Sequence, residues 1–440
     1  MTGFNNNFES DAAPVQESHF KAATAARLAD FEDFGPKTRL VQTHAQLFTG
    51  ETITVPTYVN EFWTSKQRAA SSLHEISYRA CFKPQLPRFF IQRFTEPGDV
   101  VYDPFMGRGT TLIEAALLNR SPRGCDINPL SVFLTQPRLE PPSLPQVQER
   151  LYSVDWSDHD DFPEELLVFY HQETLRDICA LKKYLLCKQT QKNLDSVDRW
   201  IWMVALNRLT GHSPGFFSVY TLPPNQAVSV HAQRKINARL NQIPPRRKVT
   251  DCIVKKTRQL LADCDDRLRN HLKQIAKNAL LLTASSNTTP QFRNDSVSLV
   301  VTSPPFLDIV NYATDNWLRC WFIGIDAASV ALTVSKKVGD WQQIMTSVFH
   351  EMFRILQPNG HVAFEVGEVR GGTIKLEEAV LPCGALAGFE PVLVLINDQK
   401  FTKTANCWGV DNNFKGTNTN RVVVFRKPKR QVRQARSRGH

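Results

Sequence analysis

The 440-residue chain lacks an apolar run long enough to span a bilayer. Its first residues, Met1 to Ser18, are polar and rich in Asn, without the basic start and apolar stretch of a secretory signal. The nine cysteines occur singly, with no C-x-x-C pair and no Cys/His cluster. We therefore expect a cytoplasmic protein without a membrane partner, a structural zinc ion or a disulfide framework.

Acidic residues are outnumbered by basic ones, and the formal net charge is +10. This excess fits a polyanionic partner, although a merely basic protein remains an equally good interpretation of charge alone. The basic residues cluster in a tail from Arg426 to Arg438 and in the middle of the chain. The candidate phosphate-binding residues of the middle region are Arg246, Arg247, Lys248, Lys255 and Lys256.

The order of apolar segments predicts a parallel α/β sheet that is interrupted and then resumes. A strand at 100–102, a helix at 112–118 and a short second strand that ends in a polar turn within 123–129 give the opening β-turn-α-β unit. Residues 146–278 are mostly helical by period, and strand patterns resume at 279–282 and 297–301. The sequence thus predicts one α/β domain with a large helical insertion.

A glycine-containing segment, Asp103-Pro104-Phe105-Met106-Gly107-Arg108-Gly109-Thr110-Thr111, connects the first strand to its helix. Its two glycines permit a tight turn close to a ligand, and Thr110 or Thr111 is suited to cap the helix. Asp103 at the strand end suits an ammonium group, and Asp126, which ends the next strand, can accept hydrogen bonds from ribose hydroxyls. A nucleoside joined to an amino acid describes S-adenosylmethionine.

A proline pair follows the strand at 297–301, in the segment Thr302-Ser303-Pro304-Pro305-Phe306. The prolines make the loop rigid and remove two donors, which leaves the Ser303 hydroxyl and the Pro304 carbonyl as acceptors for an NH2 group. Phe306 offers a flat face on which a base can stack. A polyproline-type surface turn is the alternative interpretation of this segment when it is taken alone.

Together the two segments resemble the D-P-F-x-G-x-G-T-T and T-S-P-P-Y/F motifs of the amino-methyltransferases that modify DNA at cytosine N4 or adenine N6. In that family the Ser-Pro-Pro form is mostly associated with cytosine N4. The resemblance implies a Rossmann-like methyltransferase sheet with one reversed strand near the C-terminus, and S-adenosylmethionine as cofactor. It implies Ser303, Pro304, Pro305 and Phe306 as catalytic residues, and as cofactor-binding residues Phe82, Lys83, Asp103, Phe105, Gly107, Gly109, Thr110, Thr111, Asp126 and Asn128.

The resemblance also implies a division of the chain and a biological setting. The expected parts are an N-terminal arm (1–50), a cofactor-binding half (51–145), a helical target-recognition insertion (146–278), a catalytic half (279–428) and a basic tail (429–440). We expect a prokaryotic or phage enzyme that flips a base out of duplex DNA and protects the DNA from a cognate restriction endonuclease. Adenine-N6 methylation, RNA methylation and non-catalytic DNA binding remain alternatives. One departure is that no acid follows Leu282, where the family often has a contact to the cofactor's adenine.

Overall fold

A nine-stranded mixed sheet forms the centre of the computed structural model. The structure describes residues 27–64, 70–78, 81–159, 162–221, 227–305, 312–330, 337–369, 373–398 and 420–429. The strands of the sheet are β1 (Arg39–Gln46), β2 (Thr52–Asn60), β3 (Val100–Asp103), β4 (Ser121–Asp126), β5 (Leu280–Thr283), β6 (Val297–Thr302), β7 (Leu356–Val366), β10 (Glu390–Asn397) and β11 (Asn420–Arg426); a small hairpin contains β8 (Glu368–Val369) and β9 (Ile374–Lys375).

Helices cover the sheet and form the insertion. They are α1 (Gln85–Phe94), α2 (Thr110–Leu117), α3 (Leu130–Leu139), α4 (Leu144–Ser153), α5 (Gln172–Thr190), α6 (Ser196–Leu206), α7 (Val230–Leu240), α8 (Val249–Leu260), α9 (Asp266–Ala276), α10 (Tyr312–Phe322), α11 (Val338–Ile355) and α12 (Leu376–Leu386). In the described part of the chain, none of these is long and apolar enough to cross a membrane.

The strand order confirms the predicted fold. The order is β1-β2-β10-β11-β7-β6-β3-β4-β5, in which β7, β6, β3, β4 and β5 run parallel to one another. β11 is antiparallel to both of its neighbours, β7 and β10, and is the expected reversed strand near the C-terminus. The parallel strands therefore all end at one edge of the sheet, where ligands of open α/β sheets bind.

A hairpin of β1 and β2 extends the sheet beyond β10, and the sequence analysis did not identify it. β2 runs parallel to β10, and β1 pairs antiparallel with β2 as the edge strand. Only Thr43 and Ala45 of β1 are buried. The strand therefore lacks the regular apolar alternation by which a half-buried strand is recognised in a sequence.

The helical insertion shares its core with the sheet domain. One apolar cluster contains Ile113 of α2 and Leu130 of α3 together with Leu151, Trp200 and Ile253 from the insertion helices. At this junction the rings of Phe133 on α3 and Trp202 on α6 lie 4.9 Å apart and nearly perpendicular. Capping boxes begin two of these helices, with Ser143 and Gln146 at α4 and Asp195 and Asp198 at α6. The insertion is thus packed on the cofactor-binding half as a rigid layer.

Because the core is shared, we expect the insertion and the sheet domain to unfold together. Trp202 is fully buried and its removal opens a cavity at the junction, so Trp202→Ala is expected to lower the free energy of unfolding by about 3–5 kcal/mol. Tyr152→Ala, at a residue that is 94% exposed, is the control and is expected to change it by less than about 0.5 kcal/mol. Denaturant titration measures the free energy of unfolding, and amide hydrogen exchange in α2 and α6 shows whether the two parts unfold together. If the amides of α6 alone lost protection from hydrogen exchange in Trp202→Ala, the shared core would be contradicted.

Candidate active site

The pairing of β3 with β6 places the two sequence motifs side by side. Val101 and Tyr102 pair in parallel with Leu299 and Val300, so both strands end at the same level. Beyond these pairs the Thr302 hydroxyl donates a hydrogen bond to Oδ1 of Asp103 at 2.6 Å. The glycine loop and the proline loop, far apart in sequence, therefore form one site.

Asp103 is a buried carboxyl without a cationic partner among the described residues. Besides Thr302, the backbone N–H of Phe105 donates to its Oδ1 at 3.0 Å. The side chain is 1% exposed, and this burial raises its pKa to about 7 although the hydrogen bonds act in the opposite direction. A carboxyl in this state is suited to a cationic ligand, because an ammonium group would stabilise its ionised form.

The two glycines make the tight turn for which the sequence analysis required them. Gly107 has φ of 48° and Gly109 has φ of 74°, in the left-handed region. A Cβ on Gly109 would lie 2.3 Å from Oγ1 of Thr135 on α3, so this position also requires the absence of a side chain. The turn thus depends on glycine both for its backbone conformation and for its packing.

The prediction that Thr110 or Thr111 caps the helix is wrong. Gly109 is the N-cap of α2 and supplies no side-chain hydrogen bond. Instead the Thr111 hydroxyl donates to the Val301 carbonyl at 3.1 Å, and Oγ1 of Thr110 lies 3.1 Å from the donating Nε of Arg108. Since Thr111 is bound to β6, it joins the start of the helix to the strand that carries the proline loop.

Asp126 holds the glycine turn from the end of β4. Its Oδ2 accepts a hydrogen bond from the Gly107 N–H and its Oδ1 accepts one from the Asn128 N–H, both at 2.8 Å. Burial raises the pKa of Asp126 above its ordinary value. The Asn128 amide donates to the Tyr78 hydroxyl at 3.2 Å, and the Tyr78 ring lies against Gly107. Asp126, the predicted ribose-binding acid, therefore also stabilises the conformation of the glycine loop.

The remaining predicted cofactor residues are Phe82, Lys83 and Phe105, of which Phe105 lies in the loop itself. Arg108 extends from the turn to the carbonyls of His74, Ile76 and Phe82, at 3.4, 3.0 and 3.5 Å, and so ties the preceding segment to it. Phe82 and Phe105 are half-buried and Lys83 is exposed. After β5, where the sequence has no acid, the Ser286 hydroxyl donates to the Pro104 carbonyl. That segment therefore contacts the loop through a hydroxyl group.

The proline loop is described as far as Pro305, and Phe306 lies outside the described residues. The indole Nε1 of Trp341, on α11, donates to the Pro305 carbonyl at 3.1 Å and anchors the loop. Ser303 is half-buried, and its side chain is hydrogen-bonded to Glu365. The Ser303 hydroxyl therefore has a fixed partner next to the position expected for a substrate.

Glu365 is a site residue that the sequence analysis missed. It lies near the end of β7, is 4% exposed, and its Oε1 accepts a hydrogen bond from the Asn420 amide at 3.0 Å. Burial raises the pKa of Glu365 to about 7, while the hydrogen bonds from Ser303 and Asn420 lower it. A single acid near the carboxyl end of the apolar strand 361–366 was the signal that could have identified it.

The five basic residues predicted to bind DNA do not share one surface environment. Arg246, Lys248 and Lys255 are exposed, and Arg247 is half-buried with its backbone hydrogen-bonded to Thr174. Lys256 is buried, with Nζ 3.9 Å from a Glu75 carboxylate oxygen, and burial lowers its pKa to about 8. The structure therefore leaves three of the five available to a partner. Across the described ranges, no group of three or more His, Cys, Asp or Glu side chains is placed to hold a metal ion.

Comparisons with known proteins find a family match over the segment that contains the glycine loop. Residues 41–134 match a family model described as DNA methylase, covering the N6 and N4 enzymes. A 91-residue segment is 31% identical to the Type II methyltransferase M.MjaII of Methanocaldococcus jannaschii, over 20% of this chain and 17% of that protein. Over 286 residues the chain is 20% identical to the Type II methyltransferase M.BsoBI of Geobacillus stearothermophilus, which is 59% of this chain and 54% of that protein.

Among solved structures, the chain is similar to TTHA0409 of Thermus thermophilus in its complex with S-adenosyl-L-methionine. The identity is 21%, over 31% of this chain and 48% of that one, with a TM-score of 0.20. The matches with the two curated relatives cover 17% and 54% of their lengths. The segment matched to the DNA methylase family contains Asp103 to Thr111 and Asp126. This segment is therefore similar to the DNA methylases, and the family match is common to cytosine-N4 and adenine-N6 enzymes.

The raised pKa of Asp103 predicts a conflict between stability and ligand binding. In the unfolded chain this carboxyl loses its proton near pH 4, whereas in the fold it retains the proton to about pH 7. Between these values the folded state binds more protons, so the free energy of unfolding of the ligand-free protein falls as pH rises. Asp103→Asn is expected to remove this pH-dependent loss of stability, which amounts to at most on the order of 4 kcal/mol in the free energy of unfolding.

The same substitution is expected to weaken cofactor binding. For the wild type, affinity for S-adenosylmethionine should rise between pH 6 and pH 7.5 as Asp103 ionises, while the ligand's α-amino group stays protonated. Asp103→Asn should bind weakly with no such rise. Calorimetric titration and denaturant unfolding at each pH measure both effects, with Asp266→Asn as the control because that side chain is 89% exposed. Equal pH dependence in wild type and Asp103→Asn would refute the role of Asp103.

Proposed function

We propose that this protein transfers the methyl group of S-adenosylmethionine to the exocyclic amino group of a base in duplex DNA, with cytosine N4 as the target. The observation that carries the proposal is the hydrogen bond between Thr302 and Asp103. It joins an acid suited to an ammonium group to a loop in which the Ser303 hydroxyl and the Pro304 carbonyl can act as acceptors. A site of this composition suits a cationic methyl donor and an NH2 group that is to be methylated.

The proline loop supplies what an exocyclic amine needs in order to react. The lone pair of such an amine is delocalised into the ring, and two acceptors that hold its hydrogens draw the nitrogen toward tetrahedral geometry. Because the Ser303 hydroxyl donates its hydrogen to Glu365, the lone pairs of its oxygen are free to accept from the amine, beside the carbonyl of Pro304. The cofactor supplies an activated methyl group on a sulfonium centre, and the protein contributes orientation and electrostatic stabilisation.

The choice of base follows from the serine in the loop. The Ser-Pro-Pro form resembles the cytosine-N4 enzymes, whereas Asp or Asn before the prolines resembles the adenine-N6 enzymes. Adenine N6 in DNA is the closest alternative, since its amine has similar geometry, and an amino group in RNA is a second. Phe306, proposed to stack on the base, completes the set of catalytic residues.

The charge of the insertion favours a nucleic-acid partner. Between Asp198 and Asp251 the sequence contains no acid. The exposed cations of this stretch are Arg234, Lys235 and Arg239 on α7 and Arg246 and Lys248 in the segment before α8. A surface of one sign, fixed to the sheet domain by a shared core, is suited to hold phosphates while the target base is flipped into the site, at a cost of about a few kcal/mol. We assign the insertion to target recognition on this basis.

Protection of DNA from a restriction endonuclease is the proposed biological role. It is supported by the similarity to two Type II methyltransferases. We propose that a restriction endonuclease with the same recognition sequence accompanies this protein.

The direct test is product identification. Purified protein is incubated with labelled S-adenosylmethionine and, in separate reactions, with unmethylated duplex DNA of varied sequence or with RNA, and the digested nucleosides are identified by mass spectrometry. N4-methylcytosine is the expected product. N6-methyladenine would keep the chemistry and overturn the assignment of the base, and label appearing only in RNA, or in neither nucleic acid, would overturn the DNA assignment.

Ser303→Ala should lower the rate of methyl transfer by about 100-fold or more without preventing cofactor binding.

The basic surface gives a second, independent prediction. Arg246→Gln combined with Lys248→Gln removes two exposed charges, so DNA affinity should fall to a similar extent for all sequences and the salt dependence of log K should decrease by up to about two units of slope. The control is Lys273→Gln combined with Lys277→Gln, which removes two exposed charges from and just after α9. Fluorescence anisotropy with duplex DNA at several salt concentrations measures both pairs. Equal losses from the two pairs would mean that this surface does not bind DNA.

A further inference from the structure

The proposed reaction leaves one proton to be removed, and the structure contains a group placed to receive it. When an NH2 group gains a methyl group, its nitrogen must lose a proton. Ser303, the residue that would contact this nitrogen, lies beside the buried carboxyl of Glu365, because the preceding residues, Thr302 and Phe364, pair in parallel between β6 and β7. A hydrogen bond from Ser303 lowers the pKa of this carboxyl. On the other side of the carboxyl, Asn420 at the start of β11 donates to Oε1 at 3.0 Å.

We propose that Glu365 is the proton acceptor of the transfer, reached through the hydroxyl of Ser303 and held in position by Asn420. The inference rests on the proposed function and deepens it. The amino nitrogen forms a bond to the methyl carbon while the carbon–sulfur bond breaks and leaves its electron pair on sulfur. The nitrogen's proton passes to Oγ of Ser303 as the Ser303 proton passes to Glu365. The reaction then ends with a methylamino base, a thioether and a protonated Glu365, which releases its proton to water before the next turnover.

The surroundings of Glu365 suit a group that changes its charge at neutral pH. Among the described residues, the groups that act on its ionisation are the Ser303 hydroxyl and the Asn420 amide, and no charged side chain does so. An acid paired with arginine would stay ionised and accept a proton poorly. Asp103 is directed to Thr302 and Phe105 and is assigned to the cofactor. Asp126, whose pKa is also raised by burial, is directed to the backbone of Gly107 and Asn128 and is likewise assigned to the cofactor. Glu365 is therefore the carboxyl in contact with the catalytic loop that remains for the proton.

The test uses the isosteric substitution Glu365→Gln. Glutamine keeps the shape of the side chain and one acceptor oxygen for Asn420, but it cannot take up the proton. We expect its single-turnover rate, at saturating cofactor and DNA, to fall by about 100-fold or more, because a positioned base contributes on that scale. Cofactor affinity and thermal stability should stay close to those of the wild type. Glu377→Gln is the matched control, since Glu377 is also buried and its partner, Arg421, is the next residue along β11.

The pH profile separates a proton acceptor from a merely structural acid. The wild-type single-turnover rate should rise with pH through a value near 7 and then level off, and Glu365→Gln should lack this limb. Asn420→Ala removes a donor to the ionised carboxyl, so the limb should move to higher pH while the plateau rate is retained.

A wild type that methylates DNA, together with a Glu365→Gln variant that keeps the wild-type rate and pH limb, would overturn the inference and leave the proposed function standing. An unmoved limb in Asn420→Ala would overturn the positioning role of Asn420. A wild type that methylates no amino group would instead refute the proposed function on which the inference rests.

Discussion

The parallel contact between β3 and β6 is the constraint on which the site depends. Thr302 and Asp103 are 199 residues apart in sequence and 2.6 Å apart in the structure. Thr111, which donates to the Val301 carbonyl at 3.1 Å, makes a second connection between the same two segments. Since the strands are neighbours in a buried sheet, neither loop can shift without disturbing the pairing of both. In the proposed reaction the sheet would thereby set the relative position of methyl donor and target amine, on which an in-line transfer depends.

The shared core extends this rigidity to the insertion. An insertion with its own core would be free to move relative to the sheet, as domains joined by small interfaces commonly do. Here Phe133 and Trp202 pack directly across the junction, within a cluster that runs from α2 and α3 into α8. The basic surface on α7 and before α8 therefore stands at a fixed place relative to the Ser303 loop. For a reaction on a flipped base, this means that binding energy gained at phosphates can hold the base in the site rather than be lost in domain motion.

The sequence predicted local conformation well and long-range partners poorly. Gly107 and Gly109 were identified as turn residues because glycine spacing after a strand has a direct backbone meaning, and the reversed β11 followed from the family resemblance. The capping role of Thr110 or Thr111 was wrong because the partner of Thr111, Val301, belongs to a strand far along the chain. Lys256 looked like a surface lysine for the same reason, since Glu75 faces it only in the folded protein. Glu365 was overlooked because a lone acid in an apolar strand acquires its meaning only when β6 and β11 bring Ser303 and Asn420 to it.

The partners of the buried acids distinguish acids of the site from acids of the fold. Six Asp and Glu residues are almost fully buried among those described: Asp103, Glu114, Asp198, Glu351, Glu365 and Glu377. Four of them are paired with a cationic side chain, as Glu114 is with Arg88 and Glu377 with Arg421. The two that are not, Asp103 and Glu365, both have a pKa near 7 and lie on either side of the proline loop. A buried carboxyl without a cation costs stability in its ionised form, so a fold has no structural reason to place two of them at one loop. A cationic ligand for the first acid and a transferred proton for the second would supply the positive charge that each lacks.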